Sequence, residues 1–389
     1  MSYTRLVLTA GFAMFAMFFG SGNLVFPLMV GVISQSNFQI ASMGLVITGV
    51  AVPFLGLLGM LYYSGNRHLF FKTLGKPLAF ILTFAMLGLL GPFAVVPRCT
   101  IVAHGGITLI APFLSPVFFN AVFLGITLVL AWKKTRIIEI IGTFLTPWLL
   151  GGIIAIIVAG LLFGPEISPS LLKANQAFIT GLSKGYQTMD LLAAFFFSAA
   201  TVAFIAKALT THKDKQNLEK LSVTACLIGA FLLTVVYLGF VALGAKFALL
   251  LHGIDPEKLL VVIAQQSLGN LALPIAAVII GLACLTTAAI LTSLFADFLH
   301  KDILRERIPR HVALIATILL SYTLSLVGFV TLASWIAFAL EIVYPALIVF
   351  SIVAIFHHKT QHRFEKYHLS KISFGLVIAA SLYVKFFTS

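Results

Sequence analysis

The sequence predicts an all-α protein that crosses a membrane in about eleven helices, as two inverted five-helix halves and one further span. Three observations carry this. The 389 residues are 60% hydrophobic and only 10% charged, with a mean hydropathy of +1.10, whereas soluble domains carry about 25% charged residues. The apolar residues form eleven runs separated by short loops, with basic residues gathered in alternate loops. The first and sixth runs are both interrupted, at matching places when five runs are counted per half.

The formal net charge of +13 does not point to nucleic acid, because the basic residues form no stripe on a soluble face. With the N-terminus in the cytoplasm, 19 of the 25 basic residues lie inside: Arg5, Arg67, Lys72, Lys76, Lys133, Lys134, Arg136, Lys207, Lys213, Lys215, Lys220, Lys301, Arg305, Arg307, Arg310, Lys359, Arg363, Lys366 and Lys371. Lys173, Lys184, Lys246, Lys258 and Lys385 fall outside, and Arg98 falls within a span. Cys99, Cys226 and Cys284 all sit in apolar runs and read as small core residues, with no disulfide or metal framework. The first run is too long for a signal-peptide core and is expected to remain as a helix. No loop is long enough to be a catalytic domain.

The expected spans are residues 5–33, 40–64, 77–110, 114–133, 136–163, 186–207, 221–248, 269–300, 310–328, 331–356 and 370–388. The halves are then 1–163 and 164–356, with 357–389 adding a cytoplasmic loop and the last span. The first span is interrupted by FFGSGNLVFPLM, Phe18 to Met29. Gly20 and Gly22 tolerate unwound backbone, and Pro27 lacks an amide donor. In hydrocarbon, unpaired backbone groups persist only where protein or a watery cavity receives them, so the break marks a solute site; alternatively, it is a kink that aids packing.

The third span carries GPFAVVPRC, with Pro92, Pro97 and Arg98. Arg98 lies about 31 Å along the helix from Pro77. That places it at the outer interface, snorkelling to headgroups, or, if the span bends at its prolines, paired with Glu341 as a gate across the outer mouth. The sixth span opens with KGYQTMDLLAAFF; a helix starting near Ala174 and breaking around Gly185 to Asp190 makes a second discontinuous span. Asp190 is otherwise an N-cap at the membrane surface. The eighth span carries CLTTAAILTSLFADFL, in which Ala283, Thr286 and Thr287 share one face. The loop holding His357, His358, His362 and His368 reads as solvated and headgroup-facing in preference to metal-binding.

Taken together, GSGNLVFPLMVG (20–31), GPFAVVPR (91–98), GYQTMD (185–190) and CLTTA (284–288) resemble the bacterial branched-chain amino acid:cation symporters, the system II carriers. The resemblance runs in order over nearly the whole chain. It implies a leucine-transporter-like fold of two inverted five-helix repeats, with a substrate site between spans one, three, six and eight, in a bacterial cytoplasmic membrane. Two departures stand out: eleven spans where the pattern implies twelve, and His104–Gly105 where the pattern implies an acidic residue.

Unwinding at Gly20 to Asn23 frees backbone carbonyls before the break and amides after it. The amides, at the positive end of a half-helix, suit a carboxylate. The expected substrate contacts are Gly20, Ser21, Gly22 and Asn23, with Gly185, Tyr186, Thr188 and Asp190 from the second break. Phe195 to Phe197 offer an apolar wall. The resemblance further implies a Na+ site formed by the carbonyls of Ala16, Phe19 and Ala283 and the hydroxyls of Thr286 and Thr287. The expected function is Na+-coupled import of leucine, isoleucine and valine by alternating access. The alternatives are proton coupling through Asp190 or Glu341, an integral-membrane enzyme acting on a lipid-linked substrate, or a channel. The amino acid and the bilayer are the implied partners; no nucleic acid and no obligate protein partner is inferred.

Overall fold

The computed structural model describes residues 3–63, 65–132, 146–209, 218–359 and 369–387. Lys133, Lys134, Arg136, Lys213, Lys215, Arg363, Lys366, His362 and His368 lie outside the described residues, as do the side chains of His357, His358 and Lys359. Each of the eleven expected spans contains helix. The first is split into α1 (Tyr3–Phe18) and α2 (Ser21–Ser34). The second joins α3 (Phe38–Val46) to α4 (Val52–Tyr62) through a π-helical turn, Ile47–Ala51. A short helix, α5 (Arg67–Lys72), follows, capped by Asn66 Oδ1, which accepts from the His68 and Leu69 amides at 3.0 and 3.2 Å.

The third span bends. Helices α6 (Lys76–Gly88) and α7 (Val95–Ile107) meet at the turn Leu89–Phe93, where Gly91 has φ −88° and ψ −117°. Pro92 cannot supply an amide to that turn, which accounts for the kink. Next come α8 (Pro116–Trp132), α9 (Thr146–Phe163), α10 (Ala174–Gln187) and α11 (Asp190–Ala208), the last two being the split sixth span. Then follow α12 (Leu218–Lys246), α13 (Leu259–Leu268), α14 (Ala272–Phe298), α15 (Arg310–Ser325), α16 (Phe329–Lys359) and α17 (Leu369–Phe387).

By length and apolarity alone, seven helical stretches suffice to cross a membrane, and Tyr3–Phe18, Pro116–Trp132 and Arg310–Ser325 are shorter apolar helices. The expected count of eleven therefore does not follow from length alone. At 1.5 Å per residue, α1 and α2 reach only about 24 and 21 Å each and span as a pair. Two helices fall where loops were expected: α5, between spans two and three, and, between spans seven and eight, α13. Its ten residues, LLVVIAQQSL, are too short for a span, yet they bury Leu259, Leu260, Val261, Ile263 and Ala264.

The helices form two groups. Spans one, two, six and seven pack together, and α7, α8, α14 and α15 make the other group. The two most extensive contacts are α3 with α10 and α2 with α12. Both use glycine for close backbone approach. A Cβ on Gly44 would sit 2.3 Å from the Phe178 carbonyl oxygen and one on Gly181 2.0 Å from that of Ala41; Gly31 and Gly244 meet Val241 and Leu28 oxygens at 2.0 and 2.2 Å. Such pairs let helices pack where lipid gives no hydrophobic drive.

Candidate functional site

The two breaks face each other where the helix groups meet. At the first, the Phe19 amide closes α1 on the Phe15 carbonyl at 2.8 Å, and the Leu24 amide opens α2 on the Gly20 carbonyl at 3.1 Å. Between them the Gly20 amide, which would close a turn on Ala16, donates to Asn23 Oδ1 at 3.3 Å. The Ala16 carbonyl thereby loses its helical partner, and the opening amides of α2 have no intrahelical acceptor. The break is narrower than Gly20 to Asn23, because α2 starts at Ser21.

At the second break the chain turns at Thr188 and Met189, not over all of Gly185 to Asp190. Met189 is fully buried with φ +63° and ψ +21°. Gly185 and Tyr186 belong to α10. Gly185 lies against Thr48, and the Tyr186 ring packs on Tyr344 with centroids 4.8 Å apart, so neither lines the cavity. The Gly185 carbonyl accepts the Thr188 hydroxyl at 2.8 Å, and the Leu191 amide donates to the Tyr344 hydroxyl at 3.0 Å.

Asn23 and Asp190 join the breaks. The Asn23 side-chain amide donates to both Asp190 oxygens at 3.0 Å and also to the Tyr237 hydroxyl, which itself donates to Asp190 Oδ2 at 2.6 Å. Asp190 is 1% exposed, which excludes a surface N-cap, although it does open α11. Gly22 packs against the backbone of the second break: a Cβ there would lie 3.2 Å from Thr188 Cα and 3.3 Å from its carbonyl oxygen.

A cavity of about 10 Å³ separates the two breaks, room for about one water. Gly20, Ser21, Gly22, Asn23, Thr188, Asp190 and Thr287 supply its polar lining; Met17, Phe18, Leu90, Val95, Met189, Ala193, Phe197 and Leu291 supply the rest. Of Phe195 to Phe197, then, Phe197 faces the cavity. An amino acid enters only if this lining parts.

Of the five neutral oxygens expected from spans one and eight, the Thr287 hydroxyl lines the cavity, and the others are in part joined by hydrogen bonds. The Thr287 hydroxyl donates to the Phe19 carbonyl at 3.4 Å, and the Thr286 hydroxyl to the Ala283 carbonyl at 3.1 Å. Ala16, Phe19, Ala283, Thr286 and Thr287 are all buried. The Phe19–Thr287 bond is one direct link between the two helix groups; Arg98 to the Gln187 carbonyl and Cys99 to the Ser21 hydroxyl are others.

The Arg98–Glu341 pair is not formed. Arg98 is fully buried and so does not snorkel out of the protein; its Nη1 donates to the Gln187 carbonyl at 3.0 Å, and its guanidinium lies 5.4 Å from the Phe26 ring. The bend at Leu89–Phe93 interrupts the straight helix on which the expected distance of Arg98 from Pro77 rests. Glu341 pairs instead with Lys385 of α17 and is partly exposed. Against His104–Gly105 packs Glu257, from the segment before α13: a Cβ on Gly105 would sit 2.6 Å from the Glu257 carbonyl oxygen and 2.9 Å from its Cγ, and burial pushes the Glu257 carboxyl up.

Sequence reasoning missed Tyr237 and Tyr344, which hold the second break. Each is one hydroxyl in a long apolar helix, with no local pattern to mark it.

The family model described as branched-chain amino acid transport protein matches residues 3–386. The branched-chain amino acid permease BrnQ of Corynebacterium glutamicum is 28% identical over 348 residues, 88% of this chain and 79% of that protein. The Bacillus subtilis permease of the same name is 28% identical over 313 residues, 76% of this chain and 69% of that protein. Among solved structures, MhsT in complex with L-phenylalanine superposes with a TM-score of 0.61 at 16% identity, covering 95% of this chain and 98% of that one. Inward-facing Mhp1 gives 0.57 at 12% identity, covering 96% and 90%. Both have the leucine-transporter fold, and the likeness shows that fold here.

Proposed function

The chain belongs to the branched-chain amino acid transport protein family, a family of multi-pass membrane transporters and not of enzymes, and on that premise we propose that it imports leucine, isoleucine and valine together with Na+. The observation that carries this reading is the meeting of the two breaks. Amides opening α2, polar groups of the second break and an apolar wall ending in Phe197 surround one cavity. That set complements an amino acid's carboxylate, ammonium and aliphatic side chain.

Na+ enters as a co-substrate. The carbonyls of Ala16, Phe19 and Ala283 and the hydroxyls of Thr286 and Thr287 fit it: they are buried, neutral, and in two pairs already 3.4 and 3.1 Å apart. Such oxygens replace an ion's hydration shell without adding fixed charge. Because the set spans both helix groups, a bound ion favours the arrangement in which they meet, which is the coupling that alternating access requires. Residues 1–163 and 164–356 serve as the inverted repeats, with the N-terminus in the cytoplasm.

One observation favours a second driver. Asp190 is a buried carboxylate at the cavity, and a proton carried there is the alternative to Na+; Glu341, paired with Lys385 away from the cavity, is not part of it. Purified protein in liposomes, loaded with labelled leucine under an inward Na+ gradient or an inward proton gradient, decides. Uptake under Na+ alone is expected. Equal uptake under protons without Na+ overturns the coupling ion, and no uptake of any branched-chain amino acid overturns the transport reading.

A further inference from the structure

Among the described residues, two side chains of the Lys, Arg, Asp and Glu classes are in the fully buried core: Arg98 and Asp190. They flank the second break, Arg98 bonding the carbonyl of Gln187 and Asp190 lying three residues further on. Their satisfaction differs. Asp190 accepts from Asn23 and Tyr237 on both oxygens. Arg98 spends Nη1 on Gln187, while Nε and Nη2 are buried without a hydrogen-bond partner. An orphaned charged donor in a membrane protein's core is costly and marks function.

The identity of the two orphans is informative. Nε and Nη2 form the guanidinium edge whose N–H bonds run parallel, spaced to meet both oxygens of one carboxylate. Their position also fits. Val95 lines the cavity, and Arg98 is one turn further along the same face of α7. The carbonyl that fixes its other nitrogen, Gln187, adjoins Thr188, a cavity residue.

We propose that Arg98 is a substrate-binding and specificity-determining residue: its Nε–Nη2 edge clamps the α-carboxylate presented by the amide end of α2, while Asp190 balances the ammonium. The inference rests on the transport reading above. The site is then selective for zwitterions, because a ligand lacking the carboxylate leaves the guanidinium edge unpaired.

The test is competition of labelled L-leucine uptake, in liposomes holding the full chain, by unlabelled L-leucine and by L-leucinamide. The amide keeps the ammonium and side chain but has no carboxylate. Wild type is expected to prefer leucine by about a hundredfold. In Arg98→Gln the preference falls to within about threefold, through weaker leucine competition; in Arg98→Lys, which keeps the charge but not the parallel edge, it falls about tenfold. The same preference is read as thermal stabilisation of detergent-purified protein, so an inactive variant still reports. If Arg98→Gln does not fold, an Arg98→Lys preference equal to wild type overturns the proposal. So does a wild-type preference near one, or a loss of leucine and leucinamide competition in equal measure, which assigns Arg98 to holding the break. Failure of wild type to take up leucine while leucine still stabilises it in preference to leucinamide counts against the transport reading and not against this one.

Discussion

The first break turns at Gly20, with φ −121° and ψ −157°, and the second at Met189, a non-glycine residue at φ +63° and ψ +21°. Gly20 has extended backbone that any residue adopts; glycine is needed there because a Cβ would lie 2.9 Å from Thr287 Cγ2. Met189 is the reverse case. Space for its side chain exists in the core, and the backbone is what is strained, at a cost of about 1–2 kcal/mol. The surroundings hold it: Tyr344 accepts the Leu191 amide, and Asn23 and Tyr237 fix Asp190. One break is shaped by a neighbour's proximity and the other by a net of hydrogen bonds.

The sharpest test of the contrast is where the breaks touch. Gly22→Leu is expected to reduce leucine uptake by more than a hundredfold while membrane insertion stays intact. The reason is closer to packing than to substrate access: the added Cβ meets Thr188 backbone at 3.2 and 3.3 Å, and backbone cannot yield as a side-chain tip does. Uptake assays on variant protein present at wild-type amounts check this. Normal uptake by Gly22→Leu removes the contact between the breaks from the transport cycle.

Next in size is the side of the first break that faces span eight. Thr287→Ala deletes the hydroxyl bonded to Phe19, and Thr286→Val the one bonded to Ala283. Each is expected to raise the Na+ concentration for half-maximal uptake about tenfold, the equivalent of about 1.4 kcal/mol at the site, with substrate preference unchanged. Unaltered Na+ dependence in both variants separates the five oxygens from coupling and leaves Phe19–Thr287 as packing alone.

The same contrast explains what the sequence discloses. Gly20, Gly22 and Pro27 advertise the first break, because small residues and a missing donor are visible one residue at a time. The helix from Ala174 and the split before Asp190 are visible too, but Gly185 draws attention four residues early: its role is close approach to Thr48. The turn itself falls on Met189, whose conformation is set by tyrosines 48 and 155 residues further along the chain, outside any local pattern. Arg98 is legible as a charge within a span, yet its depth depends on the bend at Leu89–Phe93. Glu341 likewise finds its partner, Lys385, in the final helix. Spans follow from composition; partners across spans follow from packing.

The smallest effect is expected at Met189 itself, and it isolates backbone strain from volume. Met189→Leu and Met189→Ile place side chains of similar size in the same buried position, and volume-conserving swaps typically cost below about 1.5 kcal/mol. They differ in branching. Leucine keeps a single heavy substituent on Cβ and tolerates the left-handed turn about as methionine does. Isoleucine carries two, and β-branched residues are outliers at positive φ. Met189→Ile is therefore expected to be less stable than Met189→Leu by about 1 kcal/mol, read as an earlier melting transition of detergent-purified protein. Added Na+ and leucine should raise both transitions without closing the gap, since the strain lies in the backbone and not in the ligands' contacts. Equal melting of the two variants means that the chain does not rest in the left-handed turn, and the contrast between a break shaped by proximity and a break held by hydrogen bonds is lost.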